Sequence, residues 1–254
     1  MKKKYRLFFA FLTAASVCLI SMFAASGNNG GKIASPQQPK LLIFSKTNGY
    51  RHESIEAGIA AIRKLGIENK FVVEATEDSL DINDAKLHAY QSIIFLSTTM
   101  KVLGEEEEKA LQNFIRKGGG FVGIHAATDC EYNWPWYVKM VGASFESHPE
   151  QQVAKLVVLD NAHLSTRHLP ATWERKDEWY NFKNMNPDVK VLIKIDETSY
   201  KGGKNGDHHP MAWCHNFEGG RVFYTALGHT KESYSEPLLL QHILGGIQYA
   251  LGKK

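Results

Sequence analysis

Residues 118–129 read GGGFVGIHAATD and decide the fold more than any other stretch of this sequence. A short apolar segment, 121–124, follows three glycines, and this pattern is typical of a buried strand after a tight turn. The stretch then presents His125, Thr128 and Asp129 at the carboxyl end of that strand. Ligands of open α/β sheets bind beyond the carboxyl ends of the strands, so these polar residues predict a functional site.

The first half of the chain alternates strand and helix patterns around this stretch. Apolar runs predict further strands at 41–44, 71–73 and 93–96. Helical spacing of apolar residues after Ser54 predicts a helix that this serine caps, and acidic residues at the start of 105–117 predict another. Strands that alternate with helices predict an α/β fold with a mostly parallel sheet flanked by helices.

The second half has a different pattern. Strands are predicted near 153–158 and 191–193, and an antiparallel hairpin near the C-terminus turns at 218–220. A closing amphipathic helix is predicted over 237–251. The polar stretch 163–186 has little periodicity, and long structureless segments of compact domains are usually functional loops. We therefore expect 163–186 to form a loop that walls a site.

The N-terminal residues predict a targeting segment. Residues 1–26 combine four early basic residues with an apolar run and small residues before Gly27, as in a signal peptide. An uncleaved anchor is the main alternative. Cys18 also suggests a lipoprotein, but Val17 before it is too large for the usual lipobox. We expect export to the periplasm or the exterior, cleavage, a flexible linker over 27–39 and one domain over 40–254, with no membrane contact beyond the signal segment.

Charge and cysteine content restrict the function further. The net charge is +3, and the four basic residues of the signal segment exceed it, so the remaining chain is near neutral. Without a basic stripe, nucleic acid is an unlikely partner class, and none is predicted. Cys130 and Cys214 follow the signal segment; they either pair in an oxidising compartment or remain two unpaired thiols near the core.

Two histidines are candidates for proton transfer or metal binding. His125 occupies the position where a nucleophile elbow exposes a serine or cysteine, so acyl chemistry is not expected there. An imidazole can act as a general acid or base or as a metal ligand, although a core histidine bonded to a carbonyl is the alternative. His52 lies with Tyr50 and Arg51 in the loop after the first strand, which could bind a polar ligand or could merely cap a helix.

Other candidates lie in the second half. Residues 177–180 place two carboxylates beside two aromatic rings, a combination that holds sugars, although a solvated acidic patch over a core tryptophan is the alternative. Eleven histidines follow the signal segment, and several end predicted strands. A zinc-like divalent metal site is therefore possible, but no HxxxH or CxxC spacing identifies its ligands, so distant segments would have to assemble it.

Five separated motifs together resemble the ThuA-like (trehalose utilisation) domain family from about Lys40 to the C-terminus. The motifs are 49–52, 118–125, 142–149, 177–180 and 210–229. The resemblance implies a flavodoxin-like sheet of the class I glutamine amidotransferase-like superfamily. That superfamily uses a cysteine nucleophile where this chain has His125, so amidotransferase activity is not expected. The family is associated with sugar metabolism, often alongside sugar dehydrogenases that make 3-keto-glycosides.

Together these features predict an exported carbohydrate-processing enzyme that acts on glycosides or 3-keto-glycosides by acid/base chemistry. Elimination uses the acidified C2 proton of a keto-sugar, with His125 or His52 as base. Hydrolysis by two carboxylates, a non-catalytic sugar-binding protein and an inert structural domain are the alternatives. The predicted catalytic residues are His52, His125, Asp129, Glu178 and His229. The predicted substrate-binding residues are Tyr50, Arg51, His148, Asp177, Tyr180 and Trp213.

Overall fold

A computed structural model describes residues 38–253 of the chain as eleven strands and five α-helices. Nine strands form one sheet in the order β2-β1-β3-β4-β11-β10-β9-β6-β7, and β5 pairs with β8 separately. The strands are β1 Lys40–Phe44, β2 Val72–Thr76, β3 Ser92–Leu96, β4 Gly120–Ile124, β5 Ser144–Ser147, β6 Gln152–Val158, β7 Thr172–Asp177, β8 Asn181–Lys183, β9 Lys190–Ile195, β10 Pro210–Phe217 and β11 Gly220–Thr225. The helices are α1 Ile55–Asn69, α2 Asp84–Leu87, α3 Glu105–Arg116, α4 Pro135–Val141 and α5 Pro237–Ala250.

The parallel half of the sheet has the flavodoxin-like strand order. Strands β2, β1, β3, β4 and β11 are all parallel to their neighbours within this group. Every residue of β3 and β4 is buried, because helices cover both faces, and this burial explains why the strands are continuous apolar runs. The predicted α/β class and the mostly parallel sheet flanked by helices are confirmed.

The other half of the sheet is antiparallel, from β11 through β10, β9 and β6 to the edge strand β7. Strands β10 and β11 form the predicted hairpin, and its two turn residues, Glu218 and Gly219, have φ angles of 46° and 101°. Two positive φ angles are what a type I′ hairpin turn requires, and glycine adopts them without steric cost. The predicted C-terminal hairpin is therefore confirmed.

The prediction of a structureless loop over 163–186 is wrong, because β7 and β8 lie within it. Side chains of β7 alternate between exposed and buried, and the buried positions are Trp173, Arg175 and Asp177. Arg175 Nη1 lies 2.9 Å from Asp177 Oδ2. A strand whose inward face carries an ion pair has no alternation of apolar and polar residues, so hydropathy could not reveal it.

The structure also decides two local predictions, the cap at Ser54 and the state of the two cysteines. Ser54 precedes α1 but does not cap it through its side chain, because its Oγ donates to the Gly228 carbonyl at 3.2 Å. Cys130 and Cys214 are both free and buried, in agreement with the unpaired alternative. Within residues 38–253, no helix has the length and apolarity to cross a membrane. The predicted signal peptide and nearly all of the predicted linker lie outside the described residues.

Candidate functional site

Four titratable side chains from distant parts of the sequence meet at one point. They are His52 after β1, His125 after β4, Glu178 after β7 and His229 after β11. One ligand atom from each lies within 4.8 Å of all the others. We call these four residues the His/Glu cluster. Three of its members follow parallel strands, so the cluster occupies the carboxyl edge of the sheet where the sequence predicted a site.

Glu178 reaches the His/Glu cluster because the antiparallel half curls back over the parallel half. Strand β7 lies four places from β11 in the sheet, yet Asp177 accepts hydrogen bonds from the backbone of Gly228 and His229. The register between β10 and β9 shifts on both sides of Ala212, and such irregularities bend a sheet. The curvature carries the end of β7 to the carboxyl edge of the parallel strands.

The distances within the His/Glu cluster fit the ligand set of a tetrahedral cation. His125 Nε2 lies 3.1 Å from His52 Nε2, 3.1 Å from His229 Nδ1 and 3.4 Å from Glu178 Oε2. His229 Nδ1 lies 3.1 Å from the same Glu178 oxygen. Ligands about 2.0–2.1 Å from a tetrahedral zinc ion are separated by about 3.3–3.4 Å from one another. Four of the six distances between the four ligand atoms are therefore close to those of a tetrahedral zinc site.

His125 is held so that one ring nitrogen is free for the cluster. Its Nδ1 lies 2.8 Å from the Ala226 carbonyl oxygen, which can only accept, so Nδ1 carries the proton and donates. Nε2 consequently presents its lone pair to the other cluster members. The backbone φ of His125 is +52°, a conformation that non-glycine residues rarely adopt and that persists at functional sites. The elbow expected from the sequence is therefore present, with an imidazole at its tip.

Burial and neighbouring groups shift the pKa values of two members of the cluster. Burial, together with the neighbouring His125 and His229, lowers the pKa of His52 to about 2, so this imidazole is neutral. Burial alone would raise the pKa of Glu178, but hydrogen bonds and charge from His125 and His229 outweigh it and lower that pKa. The neutral imidazole of His52 and the ionised carboxylate of Glu178 are the forms of these two side chains that bind a divalent cation.

Asp177 clamps two members of the cluster and does not bind substrate as predicted. It is fully buried, its Oδ1 accepts from the Glu178 and His229 amides at 3.0 and 3.2 Å, and its Oδ2 accepts from Gly228. Arg175 neutralises this carboxylate and also donates to Ser233 at 2.8 Å. One carboxylate thus fixes the spacing of Glu178 and His229. Sequence analysis missed Arg175, for which the only signal was its inward register on a strand that was not predicted.

The opening of the site lies beside His148. This side chain is 44% exposed, and its Nδ1 lies 3.3 Å from Glu178 Oε1 and 2.9 Å from the Pro149 carbonyl oxygen. Because a carbonyl only accepts, Nδ1 carries a proton, and in the neutral tautomer Nε2 is the acceptor nitrogen. Tyr50, 63% exposed, stands at the same opening with its ring 4.8 Å from the His52 ring, edge to face. These two predicted substrate-binding residues are therefore accessible next to the cluster.

Three other predicted substrate-binding residues are placed differently. Trp213 is fully buried, donates from Nε1 to the Val141 carbonyl at 2.8 Å and stacks on Tyr224, so it is a core residue that no sugar can reach. Tyr180 is 2% exposed and supports the His125 ring at a centroid distance of 4.5 Å. Arg51 is at the surface, where Glu56 and Glu77 pair with its guanidinium.

Asp129 stands apart from the cluster. Its carboxylate accepts a hydrogen bond from the Tyr132 hydroxyl, and burial raises its pKa. A buried carboxyl with a raised pKa retains a proton more readily than an exposed one, as a general acid must. The short 3₁₀ helix His125–Thr128 separates it from the cluster.

Comparison with known proteins identifies the family. Residues 40–250 of this chain match the family model described as "ThuA: Trehalose utilisation". The chain belongs to this ThuA family. No curated protein sequence matches the chain significantly.

Solved structures agree with this assignment. A ThuA-like protein from Bacteroides uniformis is 26% identical, with a TM-score of 0.72, over 87% of this chain and 95% of that one. One from Parabacteroides merdae is 18% identical, with a TM-score of 0.70, over 85% of this chain and 91% of that one. A β-galactosidase from Bacillus circulans shares the fold alone, at 13% identity and a TM-score of 0.56, over 86% of this chain and 32% of that one.

Proposed function

We propose that this protein is a carbohydrate-processing enzyme that acts on a glycoside or 3-keto-glycoside at the His/Glu cluster. The observation that supports the proposal is the convergence of three imidazole nitrogens and one carboxylate oxygen, at 3.1–3.4 Å, on the edge of the sheet that binds ligands. Membership of a family named for trehalose utilisation supports the sugar as substrate.

His52, His125, His229 and Glu178 are the proposed ligands of a divalent cation such as zinc. When bound, that cation supplies Lewis-acid stabilisation to a carbonyl or hydroxyl oxygen of the sugar. This role replaces the one predicted from sequence for His52 and His125, since both are at most 4% exposed and lie too deep to reach a substrate proton. The accessible base is His148, which lies beside Glu178 and offers Nε2 as the acceptor nitrogen of its neutral tautomer.

For a 3-keto-glycoside, each proposed proton transfer can be assigned to a particular side chain. The carbonyl at C3 acidifies the C2 proton, which moves to His148 Nε2 as the C2–H electrons shift towards the carbonyl. The C1–O bond then breaks, and the departing oxygen takes a proton from Asp129. One proton leaves the sugar and one enters the leaving group, so the products are an unsaturated keto-sugar and a free sugar or alcohol. A dehydrogenase that oxidises glycosides at C3 would supply the substrate.

The proposal includes export. The basic start, the apolar run and the small residues before Gly27 support a cleaved signal peptide, so the enzyme would meet its substrate outside the cytoplasm. Fractionation of expressing cells, with N-terminal sequencing of the product, tests this part. A mature chain that begins at Gly27 in the exported fraction supports it, and an intact Met1 in the cytoplasmic fraction contradicts it.

A product assay tests the chemistry. Purified protein is incubated with trehalose and with 3-keto-trehalose, with and without a chelator, and released sugars are measured by mass spectrometry. Release from the keto form alone, abolished by chelator and restored by zinc, is the expected result. Saturable sugar binding without release would instead favour a non-catalytic sugar-binding protein, and neither release nor binding would contradict both functions.

A further inference from the structure

A cavity of about 460 Å³ at the carboxyl edge of the sheet has no role in the chemistry above. Its volume falls within the range of small-molecule sites, roughly 300–1,000 Å³. Its walls come from the segment after β3 and the segment after the 3₁₀ helix, both at the carboxyl edge of the sheet. They include Met100, Lys101, Glu108, Glu131, Tyr132 and Trp134.

Two contacts connect this cavity to other parts of the proposed site. Tyr132 lines the cavity and donates its hydroxyl proton to Asp129, the proposed general acid. Met100 lines the opposite wall and packs on Gly49, where an added Cβ would lie 2.7 Å from Met100 Cγ. Gly49 precedes Tyr50 at the site opening. Through Tyr132 the cavity is therefore joined to the group that would protonate the departing oxygen of a glycoside.

A buried carboxylate in the wall offers an acceptor to a ligand. Glu131 is 2% exposed, and its Oε1 accepts from the Val102 and Leu103 amides, both at 2.8 Å. Within residues 38–253, its Oε2 receives no hydrogen bond. Glu131 and Met100 have φ angles of +52° and +64°, and backbone strain in non-glycine residues clusters at ligand sites.

The remaining wall offers aromatic surface. Trp134 is half-buried, and its ring stacks on Trp136 at a centroid distance of 5.0 Å and on Tyr137 at 5.8 Å, which fixes its orientation. A rigid indole beside carboxylate and ammonium groups combines an apolar face for sugar C–H bonds with partners for hydroxyls.

We infer that this cavity is a subsite for the second sugar ring, the one that departs when the glycosidic bond breaks. The inference rests on the proposed function, because it assigns the first ring to the His/Glu cluster. A second cavity of about 680 Å³ is no rival for this role, since it lies at the amino ends of β4 and β11, beside Gly119 and Arg221. Two-ring glycosides should consequently be preferred over one-ring glycosides of the same keto-sugar.

Kinetics of the full-length protein with Trp134→Leu test the subsite, using 3-keto-trehalose and methyl 3-keto-α-glucoside. Leucine keeps apolar bulk and removes the flat ring. Trp136→Leu is the matched control, because Trp136 stacks on Trp134 but does not line this cavity. We expect Trp134→Leu to raise KM for the two-ring substrate about tenfold and to leave the one-ring substrate within about twofold.

The outcomes separate the subsite from the proposed function. Equal loss on both substrates, or no change on either, overturns the subsite while turnover by the wild type sustains the function. If the wild type turns over neither substrate, trehalose binding by saturation-transfer NMR decides: binding lost only in Trp134→Leu supports a sugar site, and no binding overturns it. Glu131→Gln, which keeps the shape of the side chain, repeats the test if Trp134→Leu does not fold.

Discussion

The buried histidines of this protein fall into two groups that differ in what their ring nitrogens contact. His242 is fully buried, and both nitrogens have ordinary partners, the Ser165 carbonyl at 2.8 Å and the Thr225 hydroxyl at 3.1 Å. His125 is equally buried, but its Nε2 faces two other imidazoles and a carboxylate. Burial alone therefore does not separate these two histidines. They differ in whether Nε2 contacts a single hydroxyl or faces several other titratable groups.

Metal binding should show the largest difference between the two groups. Refolded wild-type protein is expected to bind about one zinc ion per chain by elemental analysis, and His125→Ala should weaken binding by more than about 100-fold, because a ligand is lost. His242→Gln removes an equally buried ring and should retain the ion. Equal zinc content in both variants would mean that the cluster is not the metal site.

Turnover should next distinguish the accessible histidine from its buried neighbours. His148→Gln is expected to lower kcat by about 10²–10⁴-fold, the usual contribution of a general base, while zinc content is unchanged. His88→Gln, an exposed histidine at the other edge of the sheet, is the control and should match the wild type. Unchanged kcat in His148→Gln would assign the proton transfer to another group.

The clamp behind the cluster should matter for stability as well as for binding. Asp177→Asn leaves Arg175 buried without its main countercharge, and this should cost about 3 kcal/mol of unfolding free energy in urea titrations. The variant should also bind zinc less tightly, since Glu178 and His229 lose their common acceptor. Glu53→Gln, in the exposed pair with Lys231, should leave the urea midpoint unchanged. A stable Asp177→Asn protein with full zinc affinity would contradict the clamp.

The smallest effect is the pH dependence that His242 contributes. Burial lowers its pKa from 6.5 to about 3. Below about pH 6.5 the unfolded chain gains a proton at this imidazole and the folded chain does not, so stability is full above that pH and declines as the pH falls towards 3. The slope approaches about 1.4 kcal/mol per pH unit. Unfolding of His242→Gln between pH 7.5 and 5 should lack this component, and an identical pH profile would exclude it.

Local sequence patterns were sufficient for the parallel half of the fold and for the members of the cluster. Apolar runs located β1, β3 and β4, and their carboxyl ends directed attention to His52 and His125. The same reasoning could not identify Trp213 as a core residue, because an aromatic side chain among polar residues is equally typical of a surface that binds a sugar ring. Only the packing of its indole against Val141 and Tyr224 decides between them.

The antiparallel half was harder to predict because its structure depends on contacts between residues that are distant in the sequence. The inward face of β7 carries Arg175 and Asp177, whose burial depends on each other and on the distant Gly228 backbone. The local periodicity of apolar residues does not reveal contacts between distant residues. The role of Asp177 as a clamp was hidden for the same reason, although its neighbour Glu178 was correctly placed near the predicted site.

The curling of the antiparallel half also decides which parts of the chain the cluster requires. His52 and Glu178 follow strands in opposite halves of the sheet, so the cluster is complete only when long-range contacts between the two halves have formed. A chain interrupted before β7 would contain His52 and His125 but neither Glu178 nor His229. If the cluster binds the proposed cation, loading of that cation would report that both halves of the sheet have folded.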